Sequence, residues 1–149
     1  MLKRWMPVLI VDDSTTMCAV MKKILLSLEF DEVEVRQSAL EAFEELKQRD
    51  YGFVLCDVEM RPVGGAELVR MMRRDKFLRH VPVILTTGNP ALVTDMFKDG
   101  QPFLADGFIL KPFKAAELKD KLAEVLEAAY QSKELLPPNL ARLNGFERT

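Results

Sequence analysis

Histidine is nearly missing from this sequence: His80 is the only one in 149 residues. A histidine-built metal cluster and a Ser/His/Asp triad assembled within the chain are thereby excluded, and His80, beside Val81-Pro82, reads as a loop residue. Cysteine is almost as scarce. Cys18 and Cys56 lack metal-ligand spacing and sit in apolar segments, the pattern of small buried hydrophobes in a reducing compartment. Charge of one sign is lacking as well. The 21 Lys and Arg against 23 Asp and Glu leave a net charge of −2, so neither nucleic acid nor a membrane surface is an expected partner. Long hydrophobic runs are absent too. Met6–Val11 follows Lys3 and Arg4 but ends at two aspartates, too short for a signal segment or a membrane span. A cytoplasmic protein is the expectation. There is no internal repeat and no low-complexity stretch.

What the sequence does hold is one domain's worth of ordinary globular composition, 48% apolar and 30% charged. Five short apolar runs stand out: Pro7–Val11, Val33–Val35, Phe53–Cys56, Val81–Thr86 and Gly107–Leu110. Three of them (VLIV, FVLC, VILT) are unbroken by polar residues, as parallel strands covered on both faces require. Val33-Glu34-Val35-Arg36 alternates instead, which suits a half-exposed strand near an edge. Helical patterns lie between the runs. Met17, Val20, Met21, Ile24 and Leu28 form one apolar stripe. Ser38–Glu41 has capping-box spacing and is followed by Ala42, Phe43 and Leu46 on the face of Ala39. Ala66–Arg74 turns Leu68, Val69 and Met72 inward. A fourth helix opens at Asn89-Pro90, an N-cap with proline in the first turn, and stops before Gly100. The fifth, Lys114–Tyr130, aligns Leu118, Leu122, Val125, Leu126 and Ala129.

Strand and helix thus alternate five times with short connections. The fold class that follows is α/β: a doubly wound, flavodoxin-like parallel sheet of order 2-1-3-4-5 with five helices over residues 1–130. Residues 131–149 form a C-terminal extension, interrupted by Pro137-Pro138 and rich in leucine. Packing on its own domain, docking to a partner and linking to an output domain all remain open for it.

In such sheets ligands bind beyond the carboxyl ends of the strands, where the strand order reverses. Asp12 and Asp13 follow the first strand, Asp57 the third, Thr86-Thr87 end the fourth, and Lys111 follows the fifth. Taken singly, Asp13-Ser14 could begin a helix and Asp57 a turn. Brought together, the carboxylates would raise a pKa or recruit a cation, and oxygen ligands on strand ends suit Mg²⁺. An ionised aspartate, a metal-binding acidic pair, a hydroxyl and a lysine make a phosphoryl-transfer set. Metal and lysine neutralise the phosphoryl oxygens while the carboxylate attacks without a general base.

Four segments in order carry a family resemblance: Val8–Ser14, Leu55–Met60, Pro82–Gly88 and Phe108–Phe113. The chain resembles the receiver domains of two-component response regulators from about residue 6 to 130. The resemblance implies a phosphorylation-dependent switch rather than a conventional enzyme, although such a domain catalyses its own phosphorylation and dephosphorylation. It implies that Asp57 accepts the phosphoryl group from the phosphohistidine of a sensor histidine kinase or phosphotransfer protein. Asp13, Asp57 and the Glu59 backbone carbonyl would ligate Mg²⁺ (or Mn²⁺), with Asp12 acting largely through water. Thr87 and Lys111 would contact the phosphoryl group and Phe108 would swing behind it; Phe108 reads equally well as a core aromatic. Lys111-Pro112 matches a bond that is usually cis. Glu59 and Asn89, two residues beyond Asp57 and Thr87, take positions that tune phosphoryl lifetime. A downstream protein or a second copy would read the face of helix 4, strand 5 and helix 5. Two departures stand out: Arg61 intervenes before Pro62, and Gln101-Pro102 sits in a long segment before Lys111.

Two rivals fit less well. A haloacid-dehalogenase-like phosphohydrolase needs a second aspartate two residues after its nucleophile, where this chain has Glu59. A flavin carrier could cradle a phosphate on Ser14-Thr15-Thr16, but two aspartates precede that loop.

Overall fold

Strand residues alternate between two cores, and that alternation builds the molecule. The computed structural model describes residues 7–92 and 105–129. In β1 (Val8–Val11), Val8 and Ile10 enter one core while Leu9 and Val11 enter the other. β3 (Phe53–Asp57) and β4 (Val83–Thr87) divide in the same way, with Phe53, Leu55 and Ile84 on the first side and Val54, Cys56, Val83 and Leu85 on the second. β2 (Val33–Arg36) and β5 (Gly107–Leu110) form the edges of a parallel sheet ordered β2-β1-β3-β4-β5, as the sequence leads one to expect. Three interior strands buried on both faces explain the three uninterrupted apolar runs.

Helices α1 (Thr15–Ser27) and α4 (Ala115–Ala129) cover the first core, α2 (Ala39–Gln48) and α3 (Gly65–Arg74) the second. Here α4 is the fifth helix expected from sequence. The expected fourth begins at Pro90, where Asn89 Oδ1 accepts a hydrogen bond from the Ala91 N–H at 3.0 Å. Its continuation past Leu92 lies outside the described residues, as do Gln101-Pro102, Tyr130, the extension 131–149 and residues 1–6.

Serine caps fix where the first two helices start. Ser14 Oγ accepts from the Met17 N–H at 3.2 Å and Ser38 Oγ from the Glu41 N–H at 3.1 Å. A cap contributes about 1 kcal/mol, and each fully buried Leu, Ile or Phe about 1.5–3 kcal/mol. The cores therefore decide the packing and the caps the registration.

Three expectations need correction. Val20 faces solvent, and Cys18 and Leu25 take the inward places on α1 beside Met21. β4 starts at Val83 rather than Val81, since Pro82 has no N–H to give the ladder. β3 runs one residue further, to Asp57, while β4 ends at Thr87 as expected.

Candidate functional site

All five strands point their carboxyl ends at one rim, and the order reverses between β2 and β3 on either side of β1. Val11 lies opposite Cys56 across β1 and β3, so the next residues, Asp12 and Asp57, are neighbours. Gly65 lets α3 start close under this point. A Cβ there would lie 2.3 Å from the Asp57 carbonyl oxygen and 3.2 Å from Cys56 Sγ. Its N–H bonds to the Val58 carbonyl at 3.1 Å, closing the loop after β3.

Asp12, Asp13 and Asp57 each offer a carboxylate oxygen within 4.8 Å of the others. Asp12 and Asp57 are buried and Asp13 is exposed. Asp12 Oδ1 accepts from the Ser14 N–H at 2.9 Å, and its Oδ2 accepts from Lys111 Nζ at 3.3 Å. Lys111 Nζ also lies 3.1 Å from Asp57 Oδ1, close enough for an ion pair. That approach is not aligned as a hydrogen bond, and Asp57 Oδ1 is buried without a hydrogen-bond partner among the described residues. Cys18 Sγ donates to the Asp12 backbone carbonyl at 3.1 Å, so this cysteine also anchors the acidic loop. Burial pushes the thiols of Cys18 and Cys56 up, which keeps them protonated.

The charge balance is unsettled. Burial, and the Asp12 carboxylate beside it, push Asp57 above the ordinary carboxylate range, outweighing Lys111 and the Glu59 N–H. Burial alone would lower Lys111, but Asp57 and Asp12 raise it. Among the described residues three carboxylates gather beside one ammonium, and the buried Asp57 Oδ1 has the Lys111 ion pair but no hydrogen bond. An oxygen-ligated divalent cation fits this donor set and would remove both defects.

The remaining expected residues gather at the same rim, in particular orientations. Thr87 Oγ1 accepts from the Asn89 N–H at 3.0 Å and reaches the Asn89 carbonyl at 3.4 Å, so its hydroxyl is held within its own loop. The Asn89 side chain is occupied in capping. Glu59 gives its N–H to Asp57 and leaves its side chain exposed. Phe108 is half-buried against the α2–α3 core, in line with the core-aromatic alternative. The Lys111–Pro112 bond is cis, as the resemblance implies, and Arg61–Pro62 is also cis, which the sequence did not signal. His80 lies in an exposed turn. One polar group was placed at a strand end but given no role: Thr86, opposite Asp57 in the sheet, is fully buried with an unpartnered hydroxyl among the described residues. Its register opposite the last residue of β3 was the available signal.

Comparison with known proteins agrees with this geometry. A family model described as the response regulator receiver domain matches residues 8–123. The chemotaxis protein CheY-3 of Vibrio cholerae serotype O1 is 34% identical over 126 residues, covering 85% of this chain and 95% of the relative. Among solved structures, the signal receiver domain of a histidine kinase from Syntrophus aciditrophicus is 28% identical with a TM-score of 0.72, covering 89% of this chain and 98% of that one. The receiver domain of a Pseudomonas aeruginosa PAO1 sensor histidine kinase, with magnesium coordinated in its active site cleft, shares the fold at 24% identity and a TM-score of 0.71, covering 81% and 97%.

Proposed function

The chain belongs to the response-regulator receiver domain family of two-component signalling, and from that premise we propose that Asp57 is the residue it phosphorylates. The chain is a signalling domain, not an enzyme of the conventional kind. The observation that carries the reading is the meeting of three carboxylates opposite Lys111, with an unsatisfied oxygen on Asp57 itself.

In this reading Asp57 attacks the phosphorus of a phosphohistidine on a sensor histidine kinase or phosphotransfer protein. The new aspartyl O–P bond forms as the P–N bond breaks, and the imidazole keeps the electron pair. Asp13, Asp57 and the Glu59 backbone carbonyl would hold Mg²⁺, or Mn²⁺ in its place, with Asp12 acting through water. A cation bound there would neutralise charge on the phosphoryl oxygens. Lys111 neutralises the remaining oxygen charge from the other side. Thr87 must leave Asn89 to reach the phosphoryl group, and Phe108 can then move behind it. Glu59 adds negative charge near the phosphoryl group and so tunes its lifetime. Asn89, whose side chain is employed as a cap, acts there through its hold on Thr87. The domain's own residues also carry out phosphorylation and hydrolysis without a kinase. The changed surface lies over the segment beginning at Asn89, β5 and α4, where a downstream protein or a second copy reads it. The receiver occupies residues 1–130, residues 131–149 are an extension of it, and the protein works in the cytoplasm. None of the described helices is long and apolar enough to cross a membrane.

Incubation with acetyl phosphate and Mg²⁺, read by intact mass, tests this. The expected result is the gain of one phosphoryl group, lost with a chelator and lost in Asp57→Asn. A gain that persists in Asp57→Asn, or rapid turnover of phosphate monoesters, would overturn it.

A further inference from the structure

Two buried side-chain oxygens lack hydrogen bonds among the described residues: Asp57 Oδ1 and Thr86 Oγ1. They belong to residues that face each other in register across β3 and β4, and Thr86 in turn faces Ile109 of β5. Register partners on adjacent strands present their side chains to the same face of the sheet, with the strands about 4.8 Å apart. The cores agree on which face. Leu55, Ile84 and Ile109 all belong to the core under α1 and α4, and two residues further along their strands come Asp57, Thr86 and Lys111. Thr86 therefore lies between Asp57 and the strand that carries Lys111, whose ammonium comes within 3.1 Å of Asp57 Oδ1.

A hydroxyl sealed from water is costly unless it donates, and Thr86 is 0% exposed. An ionised carboxylate is an acceptor only, and Asp57 is the acceptor that the register sets beside this donor, although the Thr86 hydroxyl is not turned to bond it in this structure. We infer that Thr86 is a positioning residue for phosphoryl transfer, its hydroxyl donating to the Asp57 carboxylate and fixing the carboxylate plane for attack. The inference rests on Asp57 being the phosphoacceptor. Lys111 supplies charge from 3.1 Å; Thr86 supplies the direction.

The test is the rate of phosphorylation of the full chain by acetyl phosphate at saturating Mg²⁺, for wild type, Thr86→Val, Thr86→Ala and Thr86→Ser. Loss of a hydrogen bond to a charged group predicts about a tenfold fall in maximal rate for the valine and alanine variants. The acetyl phosphate concentration at half-maximal rate should stay unchanged, and serine should restore the rate. A purely structural hydroxyl gives the opposite pattern: Thr86→Val melts higher, because an unsatisfied group is gone, and phosphorylates at the wild-type rate. That result overturns the inference while leaving Asp57 in place. A wild-type chain that takes no phosphoryl group would instead overturn the reading of the site.

Discussion

The two ends of the sheet each hold an ion pair between distant segments, and they treat it in opposite ways. At the amino ends of β4 and β5, Arg73 pairs with Asp106 at 2.8 Å and also donates to the carbonyls of Arg79 at 3.1 Å and Val81 at 2.9 Å. Asp106 Oδ2 accepts a second bond from the Val83 N–H at 2.8 Å. The guanidinium thus meets a carboxylate and two carbonyls, even though burial lowers the Arg73 pKa against the pull of Asp106. At the carboxyl ends Lys111 pairs with Asp12 and Asp57 while Asp13 adds a third carboxylate beside them, and two buried oxygens lack hydrogen bonds among the described residues. Satisfied polar groups tie elements together. Unsatisfied ones, grouped on a rigid rim, are what a ligand completes.

That contrast can be broken at several points. The largest effect belongs to Gly65→Ala. Its Cβ would press on the Asp57 carbonyl at 2.3 Å, where backbone rather than a flexible side chain must yield. Denaturant unfolding should show a loss of about 3 kcal/mol, with phosphorylation falling as β3 and α3 are forced apart. Next comes the amino end. Arg73→Ala leaves the Arg79 and Val81 carbonyls without their donor and should cost about 2 kcal/mol. Its phosphorylation by acetyl phosphate should stay at the wild-type rate, since the pair lies at the opposite end of the strands.

Asp57→Asn should give the smallest change and the opposite sign. The folded state raises the Asp57 pKa, so ionising that group costs stability once the pH passes the ordinary carboxylate range. In metal-free buffer the asparagine variant should melt a few degrees above wild type at neutral pH. The gap should close as the pH falls below the ordinary carboxylate value, where both states are protonated. A variant that melts lower than wild type at neutral pH would mean that Lys111 already satisfies the carboxylate.

Much of this contrast was legible in the sequence, for physical reasons. Runs such as VLIV and FVLC can be read because burial on both faces leaves no place for polar residues. Asp13, Asp57 and Lys111 can be placed because parallel topology sends every strand end to one rim. The α1 stripe was harder: helical spacing admits either Val20 or Cys18 and Leu25 beside Met21, and only the sheet below selects the latter pair. The hold of Asn89 on Thr87 and the isolation of the Thr86 hydroxyl depend on side-chain rotamers, which no residue pattern encodes. The Arg73–Asp106 pair spans 33 residues and joins two ordinary surface charges in the sequence, so nothing singled it out.

Calorimetric titration of Mg²⁺ into the metal-free chain tests the meaning of the unsatisfied rim most directly. The account predicts one site per chain, lost in Asp13→Asn and in Asp57→Asn and retained in Arg73→Ala. Binding that survives both aspartate substitutions, or no binding by the wild-type chain, would contradict it.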